Sequence, residues 1–263
     1  MIGAICGDII GSVHEGAGTK TKDFPLFVEH CRFTDDTVLT VAVAARLLHG
    51  GDYVDLFHHY FHAYPHAGYG GSFIDWAGQR RRRPYQSWGN GAAMRVSPVG
   101  IACNSLNEVL AEAQRSAEVT HDHPEGIRGA RATAAAVFLA RTGADKQDMR
   151  VCLERKFEYD LSERLNDIRD TYRFDISCQG SVPQSIIAFL ESDSYEDTIR
   201  NAISLGGDAD TMAAIAGGIG EAFYGGVPEP IRVRALAFLD QSLRAVVDTF
   251  TERFGDRLTG RRR

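Results

Sequence analysis

Leu205-Gly206-Gly207-Asp208-Ala209-Asp210-Thr211 decides how this chain is read. Two carboxylates and a hydroxyl follow a Gly-Gly pair, and a run of small apolar residues, Met212 to Gly220, comes after them. The run predicts a buried helix. That places the acids at its first turn, where free backbone N–H groups and the helix dipole favour negative charge. Asp and Thr are ordinary N-cap residues, but a cap needs one of them and this turn holds three. The arrangement recurs upstream as Phe33-Thr34-Asp35-Asp36-Thr37, ahead of the apolar run Val38 to Leu48. Two such helix starts facing each other would form a site for hard divalent cations, which prefer oxygen ligands.

Outward from these two turns, periods of 3.6 residues predict further helices. They fall at Tyr53–Ala63 behind a capping Asp52 and at Leu106–Val119, while the small residues of Ile2–Gly11 suggest a tightly packed first helix, with a buried strand as the alternative. Another runs through Ile127, Ala130, Ala134, Val137 and Phe138, and one from Asp145 to Phe157. The last three carry Ile186–Leu190 with Pro183 near the start, Tyr195–Leu205, and Val233–Val247. Strands are not signalled, so the expectation is an all-α, single compact helical domain over 1–263, with a flexible tail from about residue 255. The segment from Glu158 to Arg173 reads as charged and exposed. His58, His59 and His62 read as helix surface, because the glutamate of an HExxH zinc motif is missing.

The chain has 263 residues, a formal charge of −6 and 44% hydrophobic residues, a globular composition. The acidic balance argues against a general nucleic-acid surface. Arg80–Arg83 reads as a solvated loop within reach of a phosphate, and Arg261–Arg263 as a frayed tail. Five scattered cysteines without a CxxC pair argue against a disulfide framework or a structural zinc site. They fit a reducing cytoplasm. No apolar run reaches membrane-spanning length.

Several residues stand out between the helices. Asp8 lies inside an apolar segment, where a carboxylate must be hydrogen-bonded, and reads as an internal cap to a neighbouring helix. Glu15 follows that helix, where the chain turns through Gly16 and Gly18, and is either exposed or a mobile reacting carboxylate. The loop Gly68-Tyr69-Gly70-Gly71-Ser72 is a turn or a set of N–H groups for a phosphate. Ser87-Trp88-Gly89-Asn90-Gly91 holds a nucleotide or forms an Asx turn beside a core tryptophan. His121 and His123 lack a third ligand at zinc spacing, and a ligand-contacting loop histidine is the better reading.

Taken together, Gly7-Asp8…Gly11…Glu15, Thr34-Asp35-Asp36-Thr37, Gly68-Tyr69-Gly70, Gly89-Asn90-Gly91…Met94-Arg95, Thr120-His121 and Gly206-Gly207-Asp208-Ala209-Asp210-Thr211 resemble the ADP-ribosylglycohydrolase family. Their order and separation carry the resemblance, which spans nearly the whole chain. It implies an all-helical fold, two Mg²⁺ or Mn²⁺ ions, and hydrolysis at C1″ of the distal ribose of ADP-ribose. By motif, Thr34, Asp35, Asp36, Asp208, Asp210 and Thr211 look like metal ligands. Gly68–Ser72 and Ser87–Gly91 look like pyrophosphate and ribose contacts, and His121 like an adenosine-side contact. Trp88 stands where the family often has tyrosine. Glu15 matches a glutamate on a movable flap, and Glu15, Asp35 and Asp208 are the candidate reacting carboxylates.

The implied substrate is an ADP-ribosylated protein, arginine-linked first, with serine linkage or a small ADP-ribose conjugate as further options. A monomer without a membrane partner is expected, and nucleic acid enters only as a further option for the modified substrate. Two other classes fit parts of the pattern: a non-catalytic ADP-ribose-binding module, and a helical metal-dependent phosphohydrolase that would cut the pyrophosphate.

Overall fold

The computed structural model describes residues 1–259. It is built from helices throughout, and the single extended pairing among those residues is an isolated antiparallel bridge between Gly89 and Ser177. No helix among them is long and apolar enough to cross a membrane.

At the centre are the first helix, α1 (Ile2–Gly11), and a late one, Ala209–Tyr224, which is α13 in chain order. Both are made of small and apolar residues, and both are buried over almost their whole length. They lie side by side because glycines recur every fourth residue on α1. A Cβ on Gly3 would stand 2.3 Å from the Gly217 carbonyl oxygen, one on Gly7 2.1 Å from that of Ala213, and one on Gly11 2.4 Å from the Asp210 Cα. Backbone therefore meets backbone along this stripe, and Asp8 is brought beside the first turn of α13.

Around this pair the remaining helices take their places in chain order. The second acidic motif begins α2 (Asp35–His49), which packs on α1, and Asp52 caps α3 (Tyr53–Ala63) through two backbone N–H groups. Next come α4 (Gly71–Gly78), α5 (Gly91–Met94) and α6 (Ser97–Ala102). The helices α7 (Leu106–Glu118) and α8 (Pro124–Arg141) pair with each other, and α8 also reaches α13. They lead to α9 (Lys146–Phe157) and α10 (Leu165–Arg169). On the other flanks of α13 lie α11 (Cys178–Leu190) and α12 (Tyr195–Ile203). The chain closes with α14 (Glu229–Leu236), α15 (Gln241–Phe254), which packs on α2, and α16 (Asp256–Thr259).

The structure departs from the periodicity in three places. Val233–Val247 is two helices, because the chain turns at 237–240 and Asp240 caps a new start. Pro183 lies inside α11, as its sixth residue, where its missing N–H removes one backbone hydrogen bond. His58 is buried and its ring lies 4.4 Å from that of Trp76, so it belongs to the core and not to a helix surface. Beyond Gly255 the chain is helical through Thr259, and Leu258 packs against the core. Arg261–Arg263 lie outside the described residues.

Candidate metal centre and ligand cleft

The starts of α2 and α13 face each other, and Asp8 of α1 lies between them. Asp8 accepts from the Thr34 N–H at 2.9 Å, the Thr34 hydroxyl at 2.7 Å and the Thr37 N–H at 3.1 Å, and also from the Thr37 hydroxyl. It caps α2 from a neighbouring helix, as its place in an apolar segment predicts.

Of the two acids at the start of α13, Asp210 accepts the Thr211 N–H at 2.9 Å, and Asp208 is not spent on capping. Asp208 stands at the N-cap position, yet its side chain makes no cap hydrogen bond. It accepts instead from the Asn90 side-chain amide at 2.7 Å. The Thr211 hydroxyl donates across the gap to Asp36 Oδ2 at 3.2 Å, and Asp36 Oδ1 is buried with no hydrogen-bond partner.

Two sets of carboxylates result: Asp8, Asp36 and Asp210, and Glu15, Asp208 and Asp210. In each, one oxygen per residue lies within 4.8 Å of the others, an arrangement able to hold a metal ion. Asp210 is common to both. An all-oxygen donor set with an unpartnered buried carboxylate oxygen suits Mg²⁺ or Mn²⁺.

Crowding shows in the proton affinities. Burial, followed by the charge of Asp8, pushes Asp35 up to about 8. Burial raises Asp8 to about 6 against the four hydrogen bonds it accepts. Asp36 and Asp210 are pushed well above the carboxylate range, by burial first and then by Asp210 and Asp208 respectively. Asp208 is raised by burial. Glu15 is raised by partial burial and by Asp208, with Arg32 opposing.

The carboxylates form one end of a cleft with a cavity of about 280 Å³. Glu15, Thr34, Asp35, Asp36, Asp208, Asp210 and Thr211 all line it. So do Gly68, Gly70, Gly71 and Ser72, and beyond them Ser87, Gly89, Asn90, Gly91 and His121. Two expected contacts are not among the lining residues. Tyr69 is 5% exposed and stacks on Phe73 at 5.1 Å, while Trp88 is 45% exposed. Trp88 is therefore not a core tryptophan either.

Other lining residues were not singled out as contacts by the sequence reading: Arg32, Leu39, Phe73, Tyr85, Phe174 and Ile176, and also Met94 and Arg95, which it quoted only as motif residues. Phe174 and Ile176 are about half exposed and follow the segment read as charged surface. They reach the cleft because Asn90 N donates to the Ile176 carbonyl at 2.8 Å and Cys178 N to that of Trp88 at 2.9 Å. A phenylalanine and an isoleucine just before the capping Ser177 were the available signal.

Two loops are also tied together. Lys20, which ends the turn carrying Glu15, donates to the carbonyls of Arg169 at 2.6 Å, Tyr172 at 2.7 Å and Leu205 at 2.5 Å. Gly206 has φ +65°, and a Cβ there would stand 2.8 Å from the Thr19 carbonyl. The turn before Asp208 thus lies against the Glu15 turn.

A family model described as ADP-ribosylglycohydrolase matches residues 1–261. The chain is 29% identical to ADP-ribosylhydrolase ARH3 of Mus musculus, over 86% of this chain and 82% of that protein. It is 25% identical to ADP-ribosylarginine hydrolase Tri1 of Pseudomonas putida, over 86% of this chain and 69% of that one. A solved structure described as an ADP-ribosylglycohydrolase-related protein complex superposes with a TM-score of 0.67 at 24% identity. It covers 98% of this chain and 96% of its own, a likeness of fold.

Proposed function

The chain belongs to the ADP-ribosylglycohydrolase family, and from that premise we propose that it is a metal-dependent ADP-ribosylhydrolase. It cleaves the C1″ glycosidic bond of ADP-ribosylated side chains and releases ADP-ribose. The observation that carries this reading is the pair of carboxylate sets sharing Asp210 at the end of the cleft. A bare nucleotide-binding module has no need of them.

Thr34, Asp35, Asp36, Asp208, Asp210 and Thr211 would hold the two cations, with Asp8 and Glu15 completing the two carboxylate sets. Bound Mg²⁺ or Mn²⁺ supplies Lewis acidity, which acidifies water and orients vicinal hydroxyls. The residues do the rest. In the stretches Gly68–Ser72 and Ser87–Gly91, the lining residues Gly70, Gly71 and Ser72 offer backbone N–H groups to the pyrophosphate, and Asn90, whose amide already gives one N–H to Asp208, offers the other to the ribose. The cluster of carboxylates favours the positive charge that develops at C1″ as the leaving group departs. Glu15, Asp35 and Asp208 are the reacting carboxylates. Glu15 has a raised proton affinity and lies on a turn next to Asp208, which suits it to take a proton from the attacking water and return it to the leaving nitrogen or oxygen.

Arginine-linked ADP-ribose is the first substrate to test, followed by serine-linked and small conjugates. The five cysteines are free, which fits the reducing cytoplasm we propose for this monomer.

Product analysis by mass tests the reading. With Mg²⁺ or Mn²⁺, the wild type should release intact ADP-ribose, and Asp208→Ala or Asp210→Ala should be nearly inactive while still folded. AMP as product would mean cleavage of the pyrophosphate, and binding without turnover on all three linkages would mean a binding module. Either result overturns the proposal.

A further inference from the structure

Behind the cleft, a buried chain of hydrogen bonds ends on His121. Arg95 is 0% exposed, and its guanidinium lies 4.4 Å over the Phe57 ring. Its Nη2 donates to the Ser116 carbonyl at 2.7 Å and to the Thr120 hydroxyl oxygen at 3.0 Å. Thr120 Oγ1 is in turn 2.8 Å from His121 Nδ1.

The direction of these bonds follows from what each group can do. A guanidinium has no acceptor, so Thr120 Oγ1 must accept from Arg95. The hydroxyl then has one proton to give, with two acceptors in view: His121 Nδ1 at 2.8 Å and the Ala117 carbonyl at 3.4 Å. The shorter contact takes it. Nδ1 is therefore an acceptor, and a neutral imidazole with a bare Nδ1 carries its proton on Nε2. Burial, followed by the charge of Arg95, holds His121 well below the usual histidine range, so the ring is neutral.

Nε2 points where a ligand would be. It has no hydrogen-bond partner among the described residues, and it stands 3.5 Å and 3.4 Å from the Cβ positions of Gly89 and Gly91 in the cleft wall. Glycine at both places keeps it uncovered.

We propose that Arg95 and Thr120 are positioning residues that lock His121 as the Nε2–H tautomer, presenting one fixed N–H donor to an acceptor atom of the bound ligand. The ligand being ADP-ribose rests on the proposed function; the tautomer does not.

Long-range ¹H–¹⁵N spectra of the imidazole in ligand-free protein at neutral pH read the tautomer directly. In the wild type, Nε2 should be protonated and Nδ1 bare. Thr120→Val should give a mixture of tautomers, raise KM about tenfold and leave kcat nearly unchanged, the size expected for one misdirected hydrogen bond. Thr120→Ser should restore both readouts. Arg95→Met should also admit the Nδ1–H form, since Thr120 is then free to accept from it. If that variant does not fold, Thr120→Val carries the test. A wild-type His121 that is Nδ1-protonated or charged overturns the proposal, and so does a Thr120→Val protein that keeps a pure Nε2–H ring. A protein with the stated tautomer that neither binds nor cleaves ADP-ribose overturns the functional reading and leaves the relay standing.

Discussion

Replacing Gly11 by Ala removes no chemical group from the site, yet it should disable it. An added Cβ would lie 2.4 Å from the Asp210 Cα, and 2.7 Å from the Ala209 carbonyl oxygen and the Asp210 nitrogen. Non-bonded heavy atoms prefer separations of about 3.5–4 Å. The end of α1 and the first turn of α13 must therefore part by about 1 Å. Overpacking of this kind costs about 1–3 kcal/mol, and the better helix propensity of Ala offsets up to about 1 kcal/mol of it. The protein should still fold. The two carboxylate sets share Asp210, so both are displaced, and a misplacement of about 1 Å is worth roughly a hundredfold in rate.

Gly3→Ala is the control. Its Cβ would meet the Gly217 carbonyl oxygen at 2.3 Å, an equal clash. It stands two helical turns away, about 12 Å along the axis. Both variants should melt below wild type in EDTA. Gly3→Ala should keep most of the Mn²⁺-induced rise in Tm and most of its turnover, and Gly11→Ala should lose both. Melting curves with and without Mn²⁺, read beside ADP-ribose release, decide the matter. If Gly11→Ala keeps wild-type turnover and the full cation-induced shift, or if the two variants suffer equally, the close approach does not set the site.

Three further outcomes are expected. Asp8 and Asp35 hold protons in the folded state up to about 6 and 8, whereas an unfolded carboxylate loses its proton near pH 4. The native state thus binds more protons across this window, and its stability falls as pH rises through those values. Denaturant melts in EDTA should show the decline, and saturating Mg²⁺ should flatten it. Lys20→Met should cost about 1.5–3 kcal/mol, the scale of a charged hydrogen bond, and should expose residues 12–19 to limited proteolysis; unchanged proteolysis would refute the clamp. Trp88→Ala should alter ADP-ribose affinity by less than about threefold, whereas Asn90→Ala should weaken it by about tenfold or more, both read by calorimetry.

The two acidic helix starts were legible because each is local: the acids, the hydroxyl and the apolar run that buries them are contiguous. Asp8 was legible as a cap because a carboxylate among apolar residues needs donors. What it caps, Thr34 and Thr37, could not be read, since that depends on α1 crossing α2 in space. The turn at 237–240 was hidden because Phe238 and Leu239 continue the apolar period up to the capping Asp240. Phe174 and Ile176 were hidden by charged neighbours and became cleft residues through one backbone bridge. Trp88 was read two ways, as ring contact or core, and its exposure removes the core reading. Arg95 and Thr120 meet through a bond between residues 25 positions apart, and no local pattern announces it.

Every bond that Lys20 makes ends on a main-chain carbonyl. A carbonyl is present whatever amino acid occupies positions 169, 172 and 205, so its three partners can drift over generations while the anchor persists. Lys20 alone carries the constraint. One end of the tether is the Tyr172 carbonyl, two residues before Phe174 at the mouth of the cleft, a nearness in sequence and not a bond of Lys20 to that mouth. Descendants of this chain could refashion that mouth, and with it what is admitted, without loosening the turn that holds Glu15.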